Sequence, residues 1–312
     1  MSPVLNRRQF GFGASALLLG AGMAGPVAAQ GATKTVTTLL GTYDIPLQPK
    51  RVVAIDPRTD YEAAVVLGLP IVGFGHNAGW DGRAFEPVTP GAVAIEVPTT
   101  AEAVLNLNPD LIVCSGEDPD GDWWPAGKMQ QIAPTLTTTW SRPWKTDLRE
   151  LGQWLDRSEL AEKAIATYEA AVADMKARYA DVLATQKMAV VTFSKEYQTF
   201  SAFVPGSEYS EPKAEIVAEL GMKTIDRALL NDDSFSMENI GTALGDVDAI
   251  LLCNMGDGSA ADLANDPLWP RLKAVLAGKV YESEGYSWFG SYYTAMNALE
   301  KFEGLLAMAS AA

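Results

Sequence analysis

The stretch Asp156–Ala184, DRSELAEKAIATYEAAVADMKARYADVLA, decides how the rest of the chain is read. Its apolar residues Leu160, Ala164, Tyr168, Val172, Met175, Tyr179 and Val182 recur every three or four positions, the spacing of one helical face. Asp156 and Glu159 stand ahead of them as a capping pair. A helix over Glu159–Ala184 would be about 39 Å long at 1.5 Å per residue, the span of a small domain. It therefore reads as a spine between two lobes. The alternative is an ordinary surface helix of one domain.

The pattern on either side favours the spine. Upstream, a short hairpin (Thr35–Leu40 and Tyr43–Ile45) precedes strands at Arg51–Ile55, Ile71–Phe74 and Asp110–Cys114, with helices at Tyr61–Leu67 and Ala101–Leu107 between them. Downstream, strands at Met188–Phe193, Ala249–Cys253 and Val280–Tyr281 alternate with helices at Lys213–Leu220, Arg271–Leu276 and Tyr293–Met308. Short apolar strands alternating with helices predict an α/β fold with mostly parallel sheets, each covered by helices. The expected organisation is an N-terminal lobe over 30–145, a linking helical region over 146–185 and a C-terminal lobe over 186–312. The halves also echo each other. TAEAV leads to DLIVC, and SMENI leads to DAILLC, so Glu102 and Glu238 each open a helix that is followed by a strand ending in cysteine. Glutamate in a first helical turn is favourable for the helix dipole, which alone explains either residue. Their pairing across the halves asks for more.

Residues 1–29 have the layout of a secretory leader. Arg7 and Arg8 precede a weakly apolar glycine-rich run that ends in Pro26-Val27-Ala28-Ala29, with a cut expected after Ala29. The paired arginines match a twin-arginine signal, and the competing reading is an uncleaved anchor. The expected location is periplasmic. The 312 residues carry 39 acidic and 24 basic side chains, a formal charge of −15, which disfavours nucleic acid as a partner. Removing the leader takes away two arginines and no acid. The two cysteines, Cys114 and Cys253, both close apolar strand patterns and read as buried thiols rather than a disulfide scaffold.

Enzymatic arrangements are missing. His76 is the single histidine, and there is no GxSxG elbow, phosphate loop, HExxH or CxxC motif. One histidine and two distant cysteines fall short of a zinc or copper site. The acidic run 116–125, GEDPDGDWWP, fits a calcium loop at Asp118, Asp120 and Asp122. It then fails at the glycine and glutamate positions, which are Trp123 and Met129. Large aromatic residues follow four strands: Trp80; Trp123 and Trp124; Tyr197 and Phe200; then Tyr286, Trp288, Phe289, Tyr292 and Tyr293. Ligands of parallel α/β sheets sit beyond the carboxyl ends of the strands, so this placement predicts a wide, partly apolar ligand held between lobes.

These segments together resemble the solute-binding proteins of ABC importers for iron–siderophore complexes and vitamin B12. The resemblance runs from about Thr35 to Leu306. It rests on GTYDIPLQPKRVVAID, YEAAVVLGLPIVGFG, TTAEAVLNLNPDLIVCSG, MQQIAP and LAEKAIATYEAAVADMKARY, then on FSMENIG, DVDAILLC, DPLWPRLKAVLAGKVY and SWFGSYYTAMNALEKFEGLL. It implies two Rossmann-like lobes joined by one long rigid helix, the class III arrangement, with cargo in the cleft and small closing motions. It implies a monomeric, non-enzymatic protein that hands its cargo to an inner-membrane permease, with Glu102 and Glu238 as the docking glutamates. No resident cofactor is implied, because the metal, Fe3+ in a ferric siderophore, arrives inside its chelate. The candidate cargo-binding residues are Arg58, Trp80, Glu96, Asp118, Trp123, Trp124, Tyr197, Tyr286, Trp288 and Tyr292. Relatives that bind hydroxamates or carboxylates often carry an arginine just before the first docking glutamate. Here that stretch is AIEVP, so the expected cargo is a neutral or cationic complex. Cobalamin or haem is the alternative within the class. A direct cation-binding protein and an exported siderophore hydrolase are the alternatives outside it.

Overall fold

The computed structural model describes residues 32–76, 89–206, 211–254, 258–284 and 289–311; the leader expected at 1–29 lies outside them. The chain opens with an antiparallel hairpin, β1 (Thr33–Thr38) and β2 (Gly41–Pro46). Gly41 turns it at φ 118°, a conformation that strains any other residue.

The first lobe is built on β3 (Val52–Ala54), β4 (Ile71–His76), β5 (Val93–Glu96), β6 (Leu111–Ser115) and β7 (Thr135–Thr138). They form one fully parallel sheet in the order β5-β4-β3-β6-β7. Its connections carry α1 (Thr59–Val66), α2 (Ala101–Leu105) and α3 (Ala126–Met129). Parallel strands covered on both faces need apolar residues at successive positions, and the runs VVA and LIVC supply them. Alternate residues separate by face. Val53, Ile112 and Cys114 pack with Val104 and Met129 in a cluster of their own, whereas Val52, Leu111 and Val113 face the opposite side.

Three helices lead to the second lobe: α4 (Trp144–Trp154), α5 (Ser158–Arg178) and α6 (Ala180–Thr185). The single helix expected over Glu159–Ala184 is divided. Its backbone leaves helical geometry at Tyr179 (φ −111°, ψ 24°), and the last turn is re-aimed so that Val182 and Leu183 are buried. The 21 residues of α5 span about 31 Å. Its buried stripe is Ala161, Ile165, Tyr168, Val172 and Met175, with Leu160 left exposed, so the inward face is rotated one residue from the expected one at its start. Nor does Asp156 cap the helix. It adopts φ 53° and pairs with Lys34, while Arg157 holds the N-cap position.

The second lobe contains β8 (Met188–Ser194), β9 (Thr199–Ala202), α7 (Pro212–Leu220), β10 (Ser234–Ser236), α8 (Ile240–Leu244), β11 (Ala249–Asn254), α9 (Ala260–Leu263), α10 (Lys273–Leu276), β12 (Val280–Glu284) and α11 (Tyr292–Ser310). Its sheet order is β10-β9-β8-β11-β12. Strands β8, β11 and β12 are parallel, and β9 and β10 add an antiparallel margin. Phe200, one of the expected loop aromatics, is instead fully buried in β9, stacked 5.0 Å from Phe235.

A single apolar cluster joins the lobes. Val52, Leu111 and Val113 from the first sheet share it with Tyr168 and Val172 of α5, with Phe302 of α11, and with Val190 and Leu251 of the second sheet. Polar contacts reinforce it. Glu219 of α7 accepts hydrogen bonds from Lys145 of α4 and, at 2.6 Å, from the Tyr168 hydroxyl of α5. Cys114 and Cys253 are free and buried, each one residue before its strand ends.

Candidate ligand-binding cleft

Three loops of the first lobe leave the carboxyl ends of adjacent strands, two central and one at the edge: Ile55–Arg58 after β3, Gly116–Pro125 after β6 and Thr139–Pro143 after β7. From the second lobe Phe289, between β12 and α11, reaches across to them. Its ring lies 5.7 Å from the Arg58 guanidinium and 6.1 Å from the Trp140 ring. Strand-end loops of both sheets therefore meet at one place. A small pocket there has Thr59, Trp140, Arg142, Asp147, Phe289 and Ser291 in its lining.

Asp56 organises the floor. It is only 2% exposed. One carboxylate oxygen accepts the backbone N–H groups of Arg58 and Thr59, both at 2.8 Å. The other accepts Arg58 Nη2 and the Trp124 indole N–H, both at 3.0 Å. Burial acts to raise its pKa, but Arg58 and the backbone donors outweigh burial and hold the carboxyl below the usual aspartate range. Arg58 is correspondingly buried, at 7% exposure.

Two further carboxylates of α1 are fully buried. Asp60 accepts the backbone N–H of Asp56 at 2.7 Å and the hydroxyl of Thr138, tying the ends of β3 and β7 together. Burial, with repulsion from Asp56, pushes its pKa up to about 7. Glu62 reaches the other lobe. It accepts the backbone N–H groups of Ser291 and Thr294, both at 2.9 Å, and the Thr294 hydroxyl, so it caps the start of α11. Burial pushes its pKa to about 7 despite those donors.

The structure brings Arg58 and Trp124 together through Asp56. Trp123 is 46% exposed beside the half-buried Trp124, so the adjacent indoles diverge. Asp118 is exposed in the same loop, where its carbonyl accepts the Gly121 N–H at 3.0 Å. Glu96 is exposed at the end of β5, and Tyr197 is 70% exposed in the turn after β8. Tyr292 is half-buried at the start of α11, 6.3 Å from the Trp144 ring, and joins the interlobe packing rather than the Arg58 group. Trp80, Tyr286 and Trp288 lie outside the described residues. Among the described residues no three of His, Cys, Asp and Glu gather into a metal-holding group.

Sequence patterning passed over Asp56, Glu62 and Trp140. Asp56 sits in DPRT, which reads as a turn. Trp140 follows β7, whose sequence TLTT carries no apolar alternation. The partners of Glu62 lie 229 and 232 residues away.

Glu102 is exposed in the first turn of α2, whose N-cap Thr100 accepts the Ala103 N–H at 3.2 Å. Glu238 is exposed in a 3-10 turn, Met237–Asn239, immediately ahead of α8.

Two α/β lobes on parallel strands, with strand-end loops meeting between them, define a two-lobed binding protein of class III. The chain belongs to the periplasmic binding protein family, whose signature spans residues 61–285. It is 26% identical over 273 residues to the iron(3+)-hydroxamate-binding protein FhuD of Bacillus subtilis, covering 83% of this chain and 81% of the relative. It is 24% identical over 312 residues to the ferric enterobactin-binding periplasmic protein FepB of Escherichia coli, covering 93% of this chain and 96% of the relative. Its fold matches that of an FhuD fold-family component of a ferrichrome ABC transporter from Bacillus subtilis. That match has a TM-score of 0.72 at 22% identity, over 87% of this chain and 99% of the other.

Proposed function

We propose that this protein is the substrate-binding component of an ABC importer, capturing a ferric siderophore between its lobes and delivering it to a membrane permease. The observation that carries the reading is the convergence of strand-end loops from both sheets on Arg58, Trp140 and Phe289. A siderophore saturates its iron with its own oxygens, so the protein has only to recognise the outside of the complex. Flat aromatic faces and a few fixed polar groups suffice for that. The names of its relatives supply the cargo class. Glu102 and Glu238, exposed on different lobes, are the groups assigned to permease docking, where two separated charges set registration more than affinity. The exposed acids Glu96, Asp118, Asp120 and Asp122 favour neutral or cationic cargo. The leader ending at Ala29 assigns export to the periplasm.

Tryptophan quenching by ferrichrome, ferrioxamine B and ferric enterobactin tests the reading, with cyanocobalamin, haemin and free Fe3+ or Ca2+ as competing ligands. Saturable quenching by at least one ferric siderophore, with Kd near or below ~1 µM, is expected. Binding of only the non-siderophore ligands would overturn it.

A further inference from the structure

Arg58 and Asp56 form a buried charge pair on the cleft floor. Two arginines stand where the lobes meet: Arg142 is paired with Asp147 and Glu150, and Arg58 has its Nη2 3.0 Å from Asp56, with both Arg58 and Asp56 shielded from solvent. Asp56 cannot drift away from that position. Two backbone N–H groups fix one of its oxygens, and the Trp124 indole and Arg58 share the other. Phe289 from the second lobe covers the guanidinium. A matched pair presents cargo with a dipole, whose field falls off faster with distance than that of a lone charge. An arginine left to itself at this place would attract anionic chelates, and a lone aspartate would attract cationic ones.

We propose that Asp56 is a specificity-determining residue for the cargo: by holding Arg58 in a neutral unit it withholds the cation that an anionic chelate needs. The inference rests on the siderophore-binding reading above and extends it to one named pair. Asp56 also holds Trp124, so the residue that sets the charge of the floor fixes part of its apolar surface.

The test is a comparison of ratios. Affinities for cationic ferrioxamine B, neutral ferrichrome and anionic ferric enterobactin are measured for the wild type, Asp56→Asn, Arg58→Gln and the double variant. Asp56→Asn removes this one negative charge from beside Arg58 and is expected to shift the anionic-to-cationic affinity ratio toward the anionic chelate by about tenfold, the effect of one unit of charge several ångströms away in a partly desolvated cleft. Arg58→Gln is expected to shift it the other way by a similar factor. The double variant should return the ratio to that of the wild type. A purely structural role would weaken all three chelates together and leave the ratios where they were, which would overturn the proposal. A wild type that prefers the anionic chelate would overturn it as well. Circular dichroism melts accompany each variant; where Asp56→Asn does not fold, Arg58→Gln and the double variant provide the same comparison. A wild type that binds no ferric siderophore defeats the functional reading and this inference with it. One that binds, with ratios unmoved by the variants, defeats the inference alone.

Discussion

A carboxylate sealed from solvent must find donors, and Glu62 finds three at the first turn of α11: two backbone N–H groups and the Thr294 hydroxyl. Those N–H groups are orphans of a helix start, which a side-chain acceptor normally satisfies from nearby in sequence. Here the acceptor comes from the other lobe, and it fixes the segment that carries Phe289. Glu62→Ala is expected to cost about 2–3 kcal/mol of unfolding free energy in urea titration, because buried donors lose their acceptor. Glu62→Gln keeps an acceptor of the same shape and should cost much less. Equal losses for the two variants would contradict the capping role. No local pattern could have revealed this bond, since YEAAVV reads only as helix. By contrast, the place of Trp124 beyond the end of β6 was legible, because it follows an unmistakable strand, though its bond to Asp56 was not.

Among the elements, legibility followed side-chain chemistry. Strands β3, β6, β8 and β11 are dominated by Val, Ile, Leu and Ala, and β4 opens on Ile-Val, apolar runs that the chain buries in a covered sheet. Strands β7, β9 and β10 are rich in hydroxyls and gave no such signal. Thr135 nevertheless buries its hydroxyl by donating to the Ala133 carbonyl at 3.0 Å, and Thr138 does so by donating to Asp60. The expected aromatic loop after β8 misplaced Phe200 for this reason, because the strand containing it was invisible. Close approach of strands is another feature that the alphabet conceals. A Cβ on Gly75 of β4 would stand 1.8 Å from the Ile55 carbonyl oxygen, at the root of the Asp56 loop. Gly75→Ala must push β4 from β3, and a loss of about 2–3 kcal/mol is expected from overpacking. Chelate binding should weaken as well. Gly241→Ala in α8, where a Cβ meets nothing within 4 Å, is the control and should gain up to about 1 kcal/mol. Similar denaturation midpoints for the two variants would contradict this packing.

For the whole molecule, the buried carboxylates set the direction in which stability changes with pH. Burial pushes Asp60, Glu62 and Glu211 to about 7 and Asp147 to about 6, so acids with raised pKa values occupy both lobes and the linking helix α4. Each binds its proton more tightly folded than unfolded. Its contribution is therefore complete below the ordinary carboxylate range, near pH ~4, and is lost as pH rises through 6 to 7. Asp56 and Asp248 are held below that range and Asp262 lies at about 2, so their contributions are lost only in stronger acid. Maximum stability is expected near pH ~5, with the melting temperature falling steadily to pH ~8. The formal charge of −15 acts in the same direction through self-repulsion, and salt separates the two causes. At about 0.5 M salt surface repulsion is largely screened, whereas buried groups are screened much less. Melts across this pH range at low and high salt should thus keep most of their slope in the wild type and lose much of it in the Asp60→Asn/Glu62→Gln double variant. A wild-type slope that vanishes in high salt would assign the whole effect to the surface and remove the buried carboxylates as its source.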